Sequence, residues 1–94
     1  MLKHVVMHKM ENEEVTAPVA VEKLLAMKQD IPEILDIQAG CDVLHSNRSY
    51  SFVLTVTLPD RDALKIYANH PAHCKVKEYI HQYSRASVSV DYEC

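Results

Sequence analysis

Four runs of alternating apolar and polar residues, one long amphipathic stretch and one broken one predict an α+β chain. The fold class is a ferredoxin-like βαββαβ domain with one antiparallel four-stranded sheet. Two further observations support it. With 94 residues the chain has room for a single domain spanning 1–94. Apolar residues also occupy both faces of its strands, so one helical layer cannot cover them all.

The first strand, Leu2 to Met10, sets Leu2, His4, Val6, His8 and Met10 on one face, with Val5 and Met7 on the other between Lys3 and Lys9. Glu11 to Glu14 reads as a charged turn, after which Thr16 serves as N-cap with Pro18 in the first helical turn. Ala20, Val21, Leu24 and Met27 continue at helical spacing to about Gln29, and Asp30-Ile31-Pro32 ends the helix. A period of two returns from Ile34 to Val43. Gly40, the single glycine, is expected there to mark a bulge or a close backbone approach.

Leu44 to Ser49 is a polar turn. Tyr50 to Leu58 is the strongest strand, with Tyr50, Phe52, Leu54, Val56 and Leu58 opposite Ser51, Val53, Thr55 and Thr57. Asp60 can cap a short helix from Arg61 to about Ala68, which Asn69-His70-Pro71 breaks. A second piece from Ala72 to about Ser84 turns Val76, Tyr79, Ile80 and Tyr83 inward. The last strand, Arg85 to Tyr92, opposes Ala86, Val88, Val90 and Tyr92 to Ser87, Ser89 and Asp91.

The face pattern assigns Val5, Met7 and Val53 to the helices. It assigns Val6, Phe52, Leu54 and Val56, with His4 and His8, to a partner subunit. At about 25 cal/mol per Å², burying several hundred Å² of apolar surface is worth on the order of 10 kcal/mol gross, part of it lost to association entropy. A homodimer is therefore expected. Net charge of −3 and the lack of basic runs argue against nucleic acid and anionic membrane surfaces as partners. No apolar stretch is long enough to span a bilayer and no signal peptide is evident, so a cytoplasmic location is expected. Cys41, Cys74 and Cys94 fit neither a disulfide framework nor a zinc site, and Cys41 reads as a small buried apolar residue. In that compartment the sequon Asn47-Arg48-Ser49 has no meaning.

The runs Leu2-Lys3-His4-Val5-Val6-Met7-His8-Lys9 and Tyr67-Ala68-Asn69-His70-Pro71-Ala72-His73 resemble the stress-responsive A/B barrel (Dabb, dimeric α/β barrel) domains. The Ile31-Pro32 turn, Gly40 and the closing Val90-Asp91-Tyr92 extend the resemblance to nearly the whole chain. It implies a homodimer whose sheets form a barrel, with a pocket in each subunit between sheet and helices. Most such domains have no assigned activity, and some are linked to stress. One plant branch cyclises linear polyketides by an intramolecular aldol step with a tyrosine and a histidine that fall on Tyr67 and His73. Its first-strand histidine falls on His4. A further pocket histidine falls on Phe52, a departure that makes this pocket more apolar.

Independently of the resemblance, His73 lies in the first turn after Pro71, where the positive helix end favours neutral imidazole. Near a pKa of about 6.5 such a ring is a competent general base. Tyr67 can offer its hydroxyl to a carbonyl oxygen becoming an enolate. His4, Val6, Phe52, Leu54 and His70 complete the expected substrate pocket. The plainer readings make His70 a cap on local backbone, His73 a ring that fixes the helix break, Tyr67 a packing residue and His8 an interface histidine. His70 and His73 without a third ligand predict no metal, and no cofactor is expected.

Three functions follow. The first is a homodimer with an apolar pocket for a small apolar or carbonyl-containing ligand and no assigned activity. The second is a cyclase, lyase or isomerase acting on a polyketide-like carbonyl compound through His73 and Tyr67. The third is a cofactor-independent monooxygenase of the related dimeric barrels, against which the absence of tryptophan weighs.

Overall fold

The computed structural model describes every residue, Met1–Cys94. In chain order the elements are β1 (Leu2–Met10), α1 (Glu13–Ala26), a 3-10 turn (Met27–Gln29), β2 (Asp36–Cys41), β3 (Phe52–Leu58), α2 (Arg61–Asn69), α3 (Pro71–Tyr83) and β4 (Ser84–Glu93). The strands form one antiparallel sheet in the order β2-β3-β1-β4. This is the ferredoxin-like βαββαβ arrangement, and the broken helix is the α2–α3 pair.

Register decides which side chains meet the helices. β1 pairs with β3 so that His4 lies opposite Val56, Val6 opposite Leu54 and His8 opposite Phe52. Because side chains alternate, those six share a face with Leu2, Met10 and Leu58. That face meets Ala20 and Leu24 of α1 and Val76 and Ile80 of α3 in the buried core. The opposite face carries Val5, Met7, Val53, Val88 and Val90, with Val90 63% exposed in a single subunit.

The two faces are thus the reverse of the assignment expected from sequence. Val6, Phe52, Leu54 and Val56 belong to the helices, while Val5, Met7 and Val53 belong to the open face. Alternation sorts side chains into two sets but is blind to which set the helices cover. On β3 the bulkier set lies inside: Phe52, Leu54, Val56 and Leu58 fill the volume under the helices, while Val53 and Thr55 face the other way. His4 and His8 move with the larger set, to the helix side.

Local chemistry shifts other boundaries. α1 begins at Glu13 behind Asn12, a residue in the left-handed region with φ 52°, and not behind Thr16. Thr16 is buried in the second turn and its hydroxyl donates back to the Glu11 carbonyl at 2.7 Å. Pro18 is tolerated inside the helix at the cost of one backbone bond. Asp60 caps α2 as predicted, accepting from the Ala63 N–H at 2.9 Å. Gly40 marks no bulge: the β2–β3 register is continuous and a Cβ there would meet nothing within 4 Å. Cys41 is exposed at the end of edge strand β2, not buried. No helix is long and apolar enough to cross a membrane.

Candidate functional site

The break between α2 and α3 builds the site. His70 closes α2 and opens α3; its Nδ1 accepts from the Ala72 N–H at 3.1 Å, and Pro71 supplies the pre-set first helical residue. The turn brings His73 back over Tyr67, the last inward residue of α2. Their rings stack at 4.3 Å between centroids with 23° between planes. On the sheet side, His4 meets the same Tyr67 ring edge-on at 5.8 Å. Tyr67, His73 and His4, from three different elements, are therefore one cluster.

Hydrogen bonding fixes which nitrogen of each ring is available. His73 Nδ1 lies 3.2 Å from the Ala68 carbonyl, which can only accept, so Nδ1 carries the proton. His4 Nδ1 donates to the Asp91 carboxylate at 2.5 Å, across the β1–β4 pairing. His8 Nδ1 lies 2.7 Å from Ser84 Oγ, whose own proton goes to the Ala86 carbonyl. In all three rings Nδ1 is committed to protein, which leaves Nε2 for chemistry. Burial, with the Ala68 contact opposing it and Lys77 adding to it, holds the His73 pKa below the ordinary histidine range. Burial and the nearby His81 do the same for His8. Burial pushes the Tyr67 phenol well above the usual tyrosine range.

A cavity of about 150 Å³ lies between the sheet, α1 and α3. Val6, Leu24, Phe52, Leu54 and Ile80 form its apolar walls, and His4, His8, His73, Lys77 and His81 supply the polar groups. The sequence-derived residues His4, Val6, Phe52, Leu54 and His73 all border it. Two candidates do not. His70 borders a separate, more open groove of about 590 Å³ with Lys23, Asp30 and Lys75. Tyr67 is fully buried behind the lining, and its hydroxyl is within hydrogen-bond distance of no group of the chain. The histidines do not converge as a metal-ligand group.

Sequence reading missed His8, Lys77 and His81 as lining residues, and Asp91 as the partner of His4. The signal was present. His73, Lys77 and His81 recur every four residues, which is one stripe of a helix, and His4 and His8 share one strand face. Asp91 was hidden because its role depends on β1–β4 register, which no local pattern encodes.

A ferredoxin-like sheet with helices on one side, an apolar open face and a cavity beneath the helices defines a dimeric α/β-barrel type of domain. The family model described as "Stress responsive A/B Barrel Domain" matches residues 2–94, and the chain belongs to that family. A dimeric protein of unknown function and ferredoxin-like fold from Bacteroides fragilis superposes with a TM-score of 0.90 at 23% identity, over 99% of this chain and 95% of that one. A dimeric ferredoxin-like protein of unknown function from Thermobifida fusca gives 0.87 at 19% identity, over 99% and 90%. Hydroxynitrile lyase from Passiflora edulis gives 0.82 at 10% identity, over 97% and 90%. A search of the curated proteins finds no match.

Proposed function

We propose that the chain is a homodimeric small-molecule-binding protein whose cavity takes a compact, mostly apolar ligand bearing a carbonyl group. The observation that carries this reading is the commitment of three Nδ1 atoms to protein acceptors around one apolar cavity. Apolar walls supply binding, and the free Nε2 atoms orient a polar group. Size narrows the ligand. A cavity of about 150 Å³ is of the size that holds a benzene ring, and falls below the roughly 300 Å³ where drug-sized sites begin. An extended polyketide chain exceeds it, and a ring-sized carbonyl compound fits. Dimerisation through the open sheet face is supported by the exposure of Met7, Val88 and Val90 there.

Proton transfer is the second reading, favoured by the His73 tautomer. A neutral Nε2 can take a proton from the carbon next to a carbonyl and return it to carbon or oxygen. The Tyr67 hydroxyl, lacking a partner, would be the donor for the enolate oxygen once side chains rearrange to admit it to the cavity it does not border. Cyclohexanone in D₂O tests both. The expected results are shifts of the Phe52 and His73 resonances and α-hydrogen exchange that His73→Phe reduces at least tenfold with dimer mass intact. Binding with exchange indifferent to that substitution removes the catalytic reading; failure of this and other ring-sized ketones to bind removes the first.

A further inference from the structure

We infer that the ligand is an anion, a single-ring carboxylic acid whose carboxylate meets Lys77 while its ring lies among Phe52, Leu54 and Ile80. This deepens the small-ligand reading and rests on it. Every polar side chain bordering the cavity is basic: His4, His8, His73, Lys77 and His81. No Asp or Glu borders it. The acid closest in function, Asp91, is already taken by His4.

Lys77 has no counter-charge of its own. The ion pairs of the chain join His4 to Asp91, Lys9 and His45 to Glu13, His45 to Asp42, and Arg61 to Glu93, and none uses Lys77. Yet Lys77 is half-buried and borders a cavity whose other walls are largely apolar. An unpaired ammonium in such a place is best matched by a charge-assisted hydrogen bond to an anion. Burial first, and Lys77 after it, disfavour the charged form of His73, so at neutral pH the ammonium of Lys77, not that ring, is the positive charge bordering the cavity.

Spacing adds geometry. His73 and Lys77 are four residues apart on α3 and share one helix face, with Cβ atoms about 5–6 Å apart. Both border the same cavity, so a ligand whose carboxylate meets Lys77 has the rest of its ring within the pocket that His73 also lines. A neutral ligand of the same shape would leave the ammonium unpaired, which makes charge the property that separates the two.

Benzoate and benzyl alcohol, matched in size and differing in charge, are the probes, titrated into the intact dimer and followed by amide shifts of Phe52, Leu54 and His73. Benzoate is expected to bind at least tenfold tighter. Lys77→Met should erase that preference while benzyl alcohol still binds, and Lys28→Met, on the exposed 3-10 turn, should leave it unchanged. Dimer mass and circular dichroism establish that each variant is folded. Equal affinities, or a preference that survives Lys77→Met, overturn the inference and leave the small-ligand reading standing. Binding of neither probe overturns the inference, and the ketone titration then decides the reading beneath it.

Discussion

Replacing Tyr67 by Phe should stabilise the protein, although it alters a candidate site residue. The Tyr67 side chain has no exposed surface, and its hydroxyl has no hydrogen-bonding group of the chain within reach. A buried hydroxyl without a partner carries a desolvation cost of roughly 1–3 kcal/mol. The ring contacts are a separate matter. Stacking on His73 and the edge contact with His4 use the aromatic face and rim, which Phe retains. The gain should therefore approach the full hydroxyl cost. For a domain of this size each kcal/mol moves Tm by about 4–8 °C, so an increase of several degrees is expected. Thermal unfolding must be compared at one protomer concentration, because a dimer's Tm depends on it. The sign is diagnostic. A hydroxyl that were bonded would lose about 0.5–1.5 kcal/mol on removal, so a lower Tm for Tyr67→Phe would refute the orphaned-hydroxyl argument.

Other substitutions probe the remaining structure. Val90→Glu puts a charge on the open sheet face and should halve the mass measured by light scattering at micromolar concentration, with the helical circular dichroism retained. An unchanged mass would show that this face does not make the dimer. Ser51 is 2% exposed, accepts from the Met10 N–H at 2.8 Å and donates to Glu13 at 2.5 Å. Ser51→Ala should therefore cost roughly 1–3 kcal/mol in urea unfolding, and a neutral result would remove it as a structural bridge. His8 and His73 both have folded-state pKa values held below 6.5, so the unfolded chain binds more protons just below that pH. Their stabilising contribution is present above about pH 6.5 and is lost as pH falls. The double variant His8→Gln, His73→Gln should show a flatter urea-unfolding profile between about pH 7.5 and 5.5, a range above the depressed carboxyls of Glu13 and Asp42.

Element order was legible because each strand alternates and each helix has a stop written in local chemistry: Ile31-Pro32 after the first, His70-Pro71 at the break, Asp60 as a cap. The assignment of faces was not. Val5 and Val6 are chemically equivalent, and only the helical layer, through Leu24 and Ile80, tells them apart. Thr16 misled because a threonine two residues before a proline looks like a cap, whereas Asn12, a residue type that favours both N-caps and the left-handed region, starts the helix without a side-chain cap bond. The cluster of His4, Tyr67 and His73 was reachable from the sequence by resemblance to a family, and its tautomers were not. Those depend on the Ala68 carbonyl and on Asp91, groups fixed by a helix end and by strand register.

Strand β4 joins two surfaces within three consecutive residues. Asp91 turns inward to hold the His4 ring, while Val90 and Tyr92 point the opposite way onto the open face. The strand lies at the sheet edge, paired with β1 on one side only, and is exposed over nearly its whole length in one subunit. Docking a second sheet against Val90 and Tyr92 would clamp the backbone that aims Asp91. On the proposed reading, in which a ligand seats against His4, assembly and ligand affinity would be thermodynamically linked: dilution that frees subunits would weaken the site, and the ligand would draw subunits together by the same factor.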